Sequence, residues 1–374
     1  MNLFNLTIPR RLRFLTMLLS AALIISIIIS WPLWGSAQFY PDDLLIPSLS
    51  ILSPYSGLLA ILSVLFLVVS LFHEKRRIFI LCAILINILL VALDFNRLQP
   101  WFYIYNSMIL LLVFYNGRVD NASHFTYIFI CLQIIPAAVY IYNGIYQLNP
   151  IYLNNEIMDS LVGWENKLSS RQFQFLMKAS LVLPFIQLIC GVGLLIKPIR
   201  FIIIPLSILF HVLLLILLIP SDQNQNYAMW FMNLVFIMLV LFLFSGKTEA
   251  RYFSYSILLQ KPLFYLVVFA FCIHPFLKLN SQWQRQPDFL VRAGLSNEKK
   301  VSVSESEFLL LPDYVKYFCE YKNGAFEVKL GKWCRHELLS DPVSGKINIR
   351  KFNNSPALAR SVVKDSEDVL SSLQ

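Results

Sequence analysis

Nine stretches of this 374-residue chain are apolar for long enough to outweigh any motif it contains. They lie near residues 14–34, 52–72, 78–95, 101–115, 125–145, 174–196, 201–219, 227–245 and 262–278. About 17 to 25 apolar residues in helical form cross the roughly 30 Å hydrocarbon layer of a bilayer. The pattern therefore predicts an all-α polytopic membrane bundle of about nine transmembrane helices. Composition agrees: only 14% of residues are charged, against about 25% in a soluble domain, which excludes an ordinary soluble enzyme. The short run at 101–115 reads as tilted or partly re-entrant.

The formal charge of +9 does not call for nucleic acid, because the basic residues sort by side of a membrane. With a cytoplasmic N-terminus, the inner segments hold Arg10, Arg11, Arg13, Arg76, Arg77 and Arg200 among twelve basic residues, and the outer ones hold five. That asymmetry is the positive-inside pattern. It predicts a plasma or bacterial inner membrane protein whose C-terminal segment lies outside the cytoplasm. The first run follows Arg10, Arg11 and Arg13 but ends in Trp31-Pro32-Leu33-Trp34 rather than a small-residue cleavage site, so it reads as a retained anchor.

Three regions follow: a transmembrane domain over 1–280, a small β-rich soluble domain over 281–352, and a polar end over 353–374 that is helical or disordered. Phe326-Glu327-Val328-Lys329-Leu330 alternates apolar and polar residues after Asn323-Gly324, which is a hairpin signal. Cys319 and Cys334 are either disulfide partners or separate buried thiols. The four cysteines of the apolar runs read as packing residues. No CxxC or Cys/His metal pattern, GxGxxG, Walker or GxSxG motif is present, and no internal repeat supports a transporter.

Polar side chains inside a bilayer cost several kcal/mol unless paired or facing a cavity, so they mark the informative positions. Asp94-Phe95-Asn96-Arg97-Leu98-Gln99-Pro100-Trp101 joins two apolar runs. Either it is a helix turn, with Pro100 opening the next helix, or Asp94 pairs with Arg97 and Gln99 reaches into the bundle. Tyr140, Asn143, Gly144 and Gln147 share one helix face, where Gly144 leaves a gap for a neighbour or a ligand. A belt of interfacial tyrosines, including Tyr142, is the alternative. Residues 151–172 read as an amphipathic surface segment. His211 is central in its run, followed by Trp230 and Asn233, and a neutral imidazole at that depth needs a partner.

Asn96-Arg97-Leu98-Gln99-Pro100-Trp101, Tyr140-x-x-x-Gly144-x-x-x-Leu148 with Asn149, and His211 before an Asn-containing helix together resemble the membrane domain of vitamin K-dependent gamma-carboxylase and its bacterial relatives. This is the horizontally transferred transmembrane domain (HTTM) family. The likeness covers roughly residues 5–280, with an echo at Trp333 to Leu338. It implies a membrane site where a reduced quinone is oxygenated, the resulting base deprotonates a glutamate side chain, and carbon dioxide adds. The family's Gly-x-x-Lys-Leu lysine deprotonates the quinol, but here the segment is Gly144-Ile145-Tyr146-Gln147-Leu148. A glutamine can orient a ring oxygen but cannot act as general base, and Lys178 reads as a snorkelling side chain. His211 matches the family histidine, and Gln99 stands where the carboxylase has another.

Two function classes result. One is a membrane enzyme or lipid-handling protein with a quinone or isoprenoid lipid in a pocket lined by Gln99, Tyr142, Asn143, Gly144, Gln147 and His211, where His211 is the catalytic candidate. The other is a non-catalytic scaffold or assembly subunit in contact with membrane lipids, whose extracytoplasmic tail docks a protein partner.

Overall fold

The computed structural model describes residues 7–35, 44–73, 76–114, 122–148, 161, 164, 167–217, 226–246, 255–278, 300–309, 311, 313–322 and 325–338. Most of the 151–172 segment and all of 353–374 lie outside the described residues. The membrane body consists of α1 (Ile8–Ile29), α2 (Ser56–Phe72), α3 (Arg76–Leu93), α4 (Pro100–Val113), α5 (Ala122–Gln147), α6 (Ser170–Ser180), α7 (Leu183–Leu195), α8 (Arg200–Leu217) and α9 (Tyr227–Phe244). It closes with α10 (Pro262–Val268), a π turn (Phe269–Ile273) and α11 (His274–Lys278). Proline stands in the first turn of α1, α4, α7 and α10, where its missing N–H costs nothing. Ser169 and Gln172 form a reciprocal capping box at the start of α6.

Seven described helices, not nine, are long and apolar enough to cross a membrane. The expected spans at 101–115 and 262–278 are the shorter apolar helices Pro100–Val113 and Pro262–Leu277. At 1.5 Å per residue, the 14 residues of α4 reach only about 21 Å. Their environment explains how so short a helix is accommodated, since α4 packs against α1, α3 and α5 and buries Trp101, Phe102, Tyr105, Met108 and Ile109. Helix α5 is the central post: 83% of its span window is buried, against 22% for the span that contains α8. The molecule is an integral membrane protein.

Buried polar groups tie the helices together by closing free carbonyls. Arg11 Nη1 donates to the carbonyl of Ser245 (2.5 Å) just past the end of α9, and Gln133 Nε2 donates to Leu243 O (2.5 Å). Arg200 Nε donates to Leu194 O (2.7 Å) and lies over the Phe244 ring. Cations at helix C-termini satisfy orphan carbonyls and oppose the negative end of the helix dipole. Midway, Ser63 Oγ donates to Asn87 Oδ1 (2.7 Å) and Asn87 Nδ2 to Asn106 Oδ1 (2.7 Å), linking α2, α3 and α4.

The connection from α3 to α4 is folded inward, with Asp94, Asn96, Arg97 and Gln99 all buried. Asp94 Oδ1 accepts from the backbone N–H and the side-chain amide of Asn96, both at 3.0 Å. Arg97 donates to Leu33 O (3.1 Å) and Leu90 O (3.2 Å), pinning the Trp31–Leu33 turn after α1 to the last turn of α3.

Beyond the bundle, β1 (Lys300–Val303), β2 (Cys319–Lys322) and β3 (Ala325–Lys329) form an antiparallel sheet in the order β1-β3-β2. Lys322 pairs with Ala325 across the hairpin; Asn323 and Gly324, its expected turn, lie outside the described residues. The domain expected to be β-rich is mixed in its described part, because the strands alternate with α12 (Glu305–Leu309), α13 (Asp313–Lys316) and α14 (Leu330–Leu338). Its core includes the stacked Phe308 and Phe326 (3.9 Å) and buried Val328, Trp333, Cys334 and Leu338. Helix α14 touches the Trp31–Leu33 turn that follows α1.

No disulfide joins Cys319 to Cys334. Cys319 Sγ donates to Val315 O (3.5 Å), and burial pushes its thiol up from the ordinary cysteine value. It is therefore a neutral, slow nucleophile at pH 7 that gains reactivity as pH rises. Unfolding without reductant followed by alkylation should place an adduct on each tail cysteine. Recovery of unmodified, reductant-sensitive peptide would show a bridge instead.

Candidate polar site between four helices

The site is built on α5, whose Tyr140 projects toward α8. The Tyr140 hydroxyl lies 2.5 Å from His211 Nε2, and His211 Nδ1 lies 2.9 Å from Asn233 Oδ1 on α9. Asn233 Nδ2 donates to Met229 O at 3.1 Å, which fixes the amide with its oxygen toward the imidazole. The tautomer follows by elimination. Nδ1 carries the proton and donates to Asn233, so Nε2 accepts from the Tyr140 hydroxyl. Tyr140, His211 and Asn233 are 2%, 5% and 6% exposed, and Phe210 and Phe236 flank the imidazole. A neutral base oriented by one polar group and bonded to a hydroxyl is the geometry that prepares a hydroxyl for proton transfer. It equally satisfies every polar atom of an imidazole in an apolar interior.

The glycines set how closely the next helix approaches. A Cβ on Gly144 would lie 2.7 Å from Pro184 O and 3.0 Å from Leu188 N. A Cβ on Gly191 would lie 2.9 Å from both Ala137 O and Ile141 N. The gap expected at Gly144 is thus filled by α7. These contacts fix an antiparallel register in which Tyr140 stands opposite Cys190, and Cys190 and Ser207 both sit beside the Tyr140 hydroxyl. The same register sets Asn143 opposite Gln187. Asn143 Oδ1 and Gln187 Oε1 are both enclosed without a hydrogen-bond partner among the described residues, and Gln187 is 5% exposed. Two buried acceptor oxygens facing one seam call for a donor, since unmade hydrogen bonds there are costly.

The other residues singled out in the sequence are dispersed around this centre. Tyr142 donates to the carbonyl of Cys272 within the π turn, and Tyr146 donates to Pro275 O (3.0 Å), so both clasp the last apolar helix. Gln147 is half-buried in the last turn of α5. Gln99 precedes α4, fully buried, and its Nε2 donates to Asn96 O (2.8 Å). Both nitrogens of His211 are taken by Tyr140 and Asn233, so neither is bonded to Gln99 or Gln147. Lys178 is exposed near the end of α6. Gln187 is not singled out by the sequence and Cys190 reads there only as a packing residue, although the spacing from Gln187 to Gly191 was the available signal. Among the described residues, no group of three His, Cys, Asp or Glu side chains assembles that could hold a metal ion.

Fold and site together define a polytopic integral membrane protein with a polar centre enclosed by four helices. No known protein family, curated protein or solved structure matches the chain.

Proposed function

We propose that this is a membrane protein of the HTTM, gamma-carboxylase-like type that binds a quinone or isoprenoid lipid at the seam of α5 and α7. In this reading all nine apolar helices cross the membrane, the N-terminus is cytoplasmic, the C-terminal domain is extracytoplasmic, and Asn143 and Gln187 lie in the outer half of the bilayer. The observation that carries it is that Asn143 Oδ1 on α5 and Gln187 Oε1 on α7 are both enclosed without a hydrogen-bond partner among the described residues, near the Tyr140–His211–Asn233 chain. They suit the hydroxyls of a reduced quinone or of an isoprenoid alcohol, which donate hydrogen bonds as an oxidised quinone cannot, while the apolar helices around them suit a hydrocarbon chain. With Gln147 where the carboxylase has lysine, glutamyl carboxylation by the family route lacks its general base.

A scaffold role is the second reading. It is favoured by the closure of the centre, since the protein itself occupies both His211 nitrogens and the Gly144 gap. Mass spectrometry of small molecules extracted from the detergent-purified protein separates the two. Under the first reading, one quinone or isoprenoid species is enriched in wild type and lost in Gln187→Leu and His211→Leu variants that elute as wild type does. Bulk phospholipid alone in all three would overturn the lipid site and leave the scaffold.

A further inference from the structure

A second polar concentration lies where the end of α1 meets the start of α4. Ser26, Ser30 and Trp34 follow one another at intervals of four and face Trp101 and Tyr105, themselves four apart. The Trp34 ring lies 6.2 Å from that of Trp101, and Trp101 lies 6.3 Å from Tyr105. Trp34 Nε1 donates to Ser30 Oγ (3.1 Å), and Ser30 Oγ donates to Ser26 O (2.7 Å). These two side chains are thus satisfied.

Their neighbours are not. Ser26 Oγ, Tyr105 OH and Trp101 Nε1 are fully enclosed and have no hydrogen-bond partner among the described residues. The Tyr105 hydroxyl sits beside Ser26 but outside bonding geometry. Three orphaned groups in one helix interface are hard to reconcile with a folded protein unless something bonds them. The guest is defined by what it must do. The indole only donates, so the guest must accept, while the two hydroxyls both donate and accept. A cation is refused by the indole N–H and by Arg97 near the end of α1, and an apolar guest would leave every group unmet. We propose that internal water bridges Ser26, Trp101 and Tyr105, forming a hydration site between α1 and α4 that is separate from the His211 centre.

X-ray hydroxyl-radical footprinting of the full-length protein tests this, because water held against a buried ring generates radicals in place. Trp101 and Tyr105 should be oxidised several-fold faster than Trp333, which is equally buried but bonded to Glu337. Oxygen from H2 18O mixed in just before the pulse should reach exposed Tyr317 and Tyr321 at once and lag at Trp101. Tyr105→Phe should slow Trp101 oxidation while leaving that of Tyr317 unchanged. Oxidation of Trp101 no faster than that of Trp333, no lag of the isotope, or no response to Tyr105→Phe would each overturn the proposal.

Discussion

Gly144→Val should lower the melting temperature of the detergent-solubilised protein by roughly 5–10 °C, and Gly191→Val should do the same, since overpacking a tight interface costs about 1–3 kcal/mol. The obstructing atoms include backbone at both sites, Pro184 O and Leu188 N at Gly144 and Ala137 O and Ile141 N at Gly191, besides the Leu188 and Ile141 side chains. Backbone cannot rotate aside, so α5 and α7 would have to separate along their whole contact. Gly193→Ala is the internal comparison. Its new Cβ would meet only side-chain atoms of Ile203, the nearest at 2.6 Å, and a rotamer change relieves that. Fluorescence-detected size exclusion across a temperature ramp reads all three variants. Unchanged melting of both Gly144→Val and Gly191→Val would mean the helices do not approach as described.

The second large effect is expected at His211. His211→Leu removes the acceptor of Tyr140 and the donor to Asn233 together, leaving two buried polar groups unmet at about 1–3 kcal/mol each. Tyr140→Phe removes one group and leaves only Nε2 unmet, so its cost should be smaller. Because the residues share one chain of hydrogen bonds, Tyr140→Phe combined with His211→Leu should destabilise less than the sum of the two, with a coupling of about 1–3 kcal/mol. Simple additivity in a melting or denaturant series would show that the phenol and imidazole do not interact.

Much of the architecture was legible because a bilayer demands length and apolarity, which a sequence displays directly. Seven apolar runs became long helices, and the alternation at Phe326–Lys329 became a strand. The sequence could not distinguish neighbours, because lipid and protein interior are equally apolar. The shortness of the run at 101–115 sets it apart as tilted or partly re-entrant, but nothing in its residues shows that α1, α3 and α5 pack around it. The same ambiguity left Gly144 open to a helix or a ligand, and only the position of Pro184 and Leu188 decides for the helix. His211 announced that it needed a partner. That the partners are Tyr140 and Asn233, 71 and 22 residues away, follows from packing alone. Likewise Arg11, legible as a cationic flank, meets a carbonyl 234 residues distant.

The two phenols that clasp the last apolar helix have a mechanical consequence. Tyr142 and Tyr146 are one turn apart on α5 and grip carbonyls in and just after a π turn, where the helix is already locally unwound. That helix is the last of the bundle before the C-terminal domain in the chain. A pull on it would be borne first by two hydroxyl contacts and passed into the same helix that holds Tyr140, two residues from the first of them. A displacement of the last apolar helix would therefore reach the middle of the bundle through a single turn of α5.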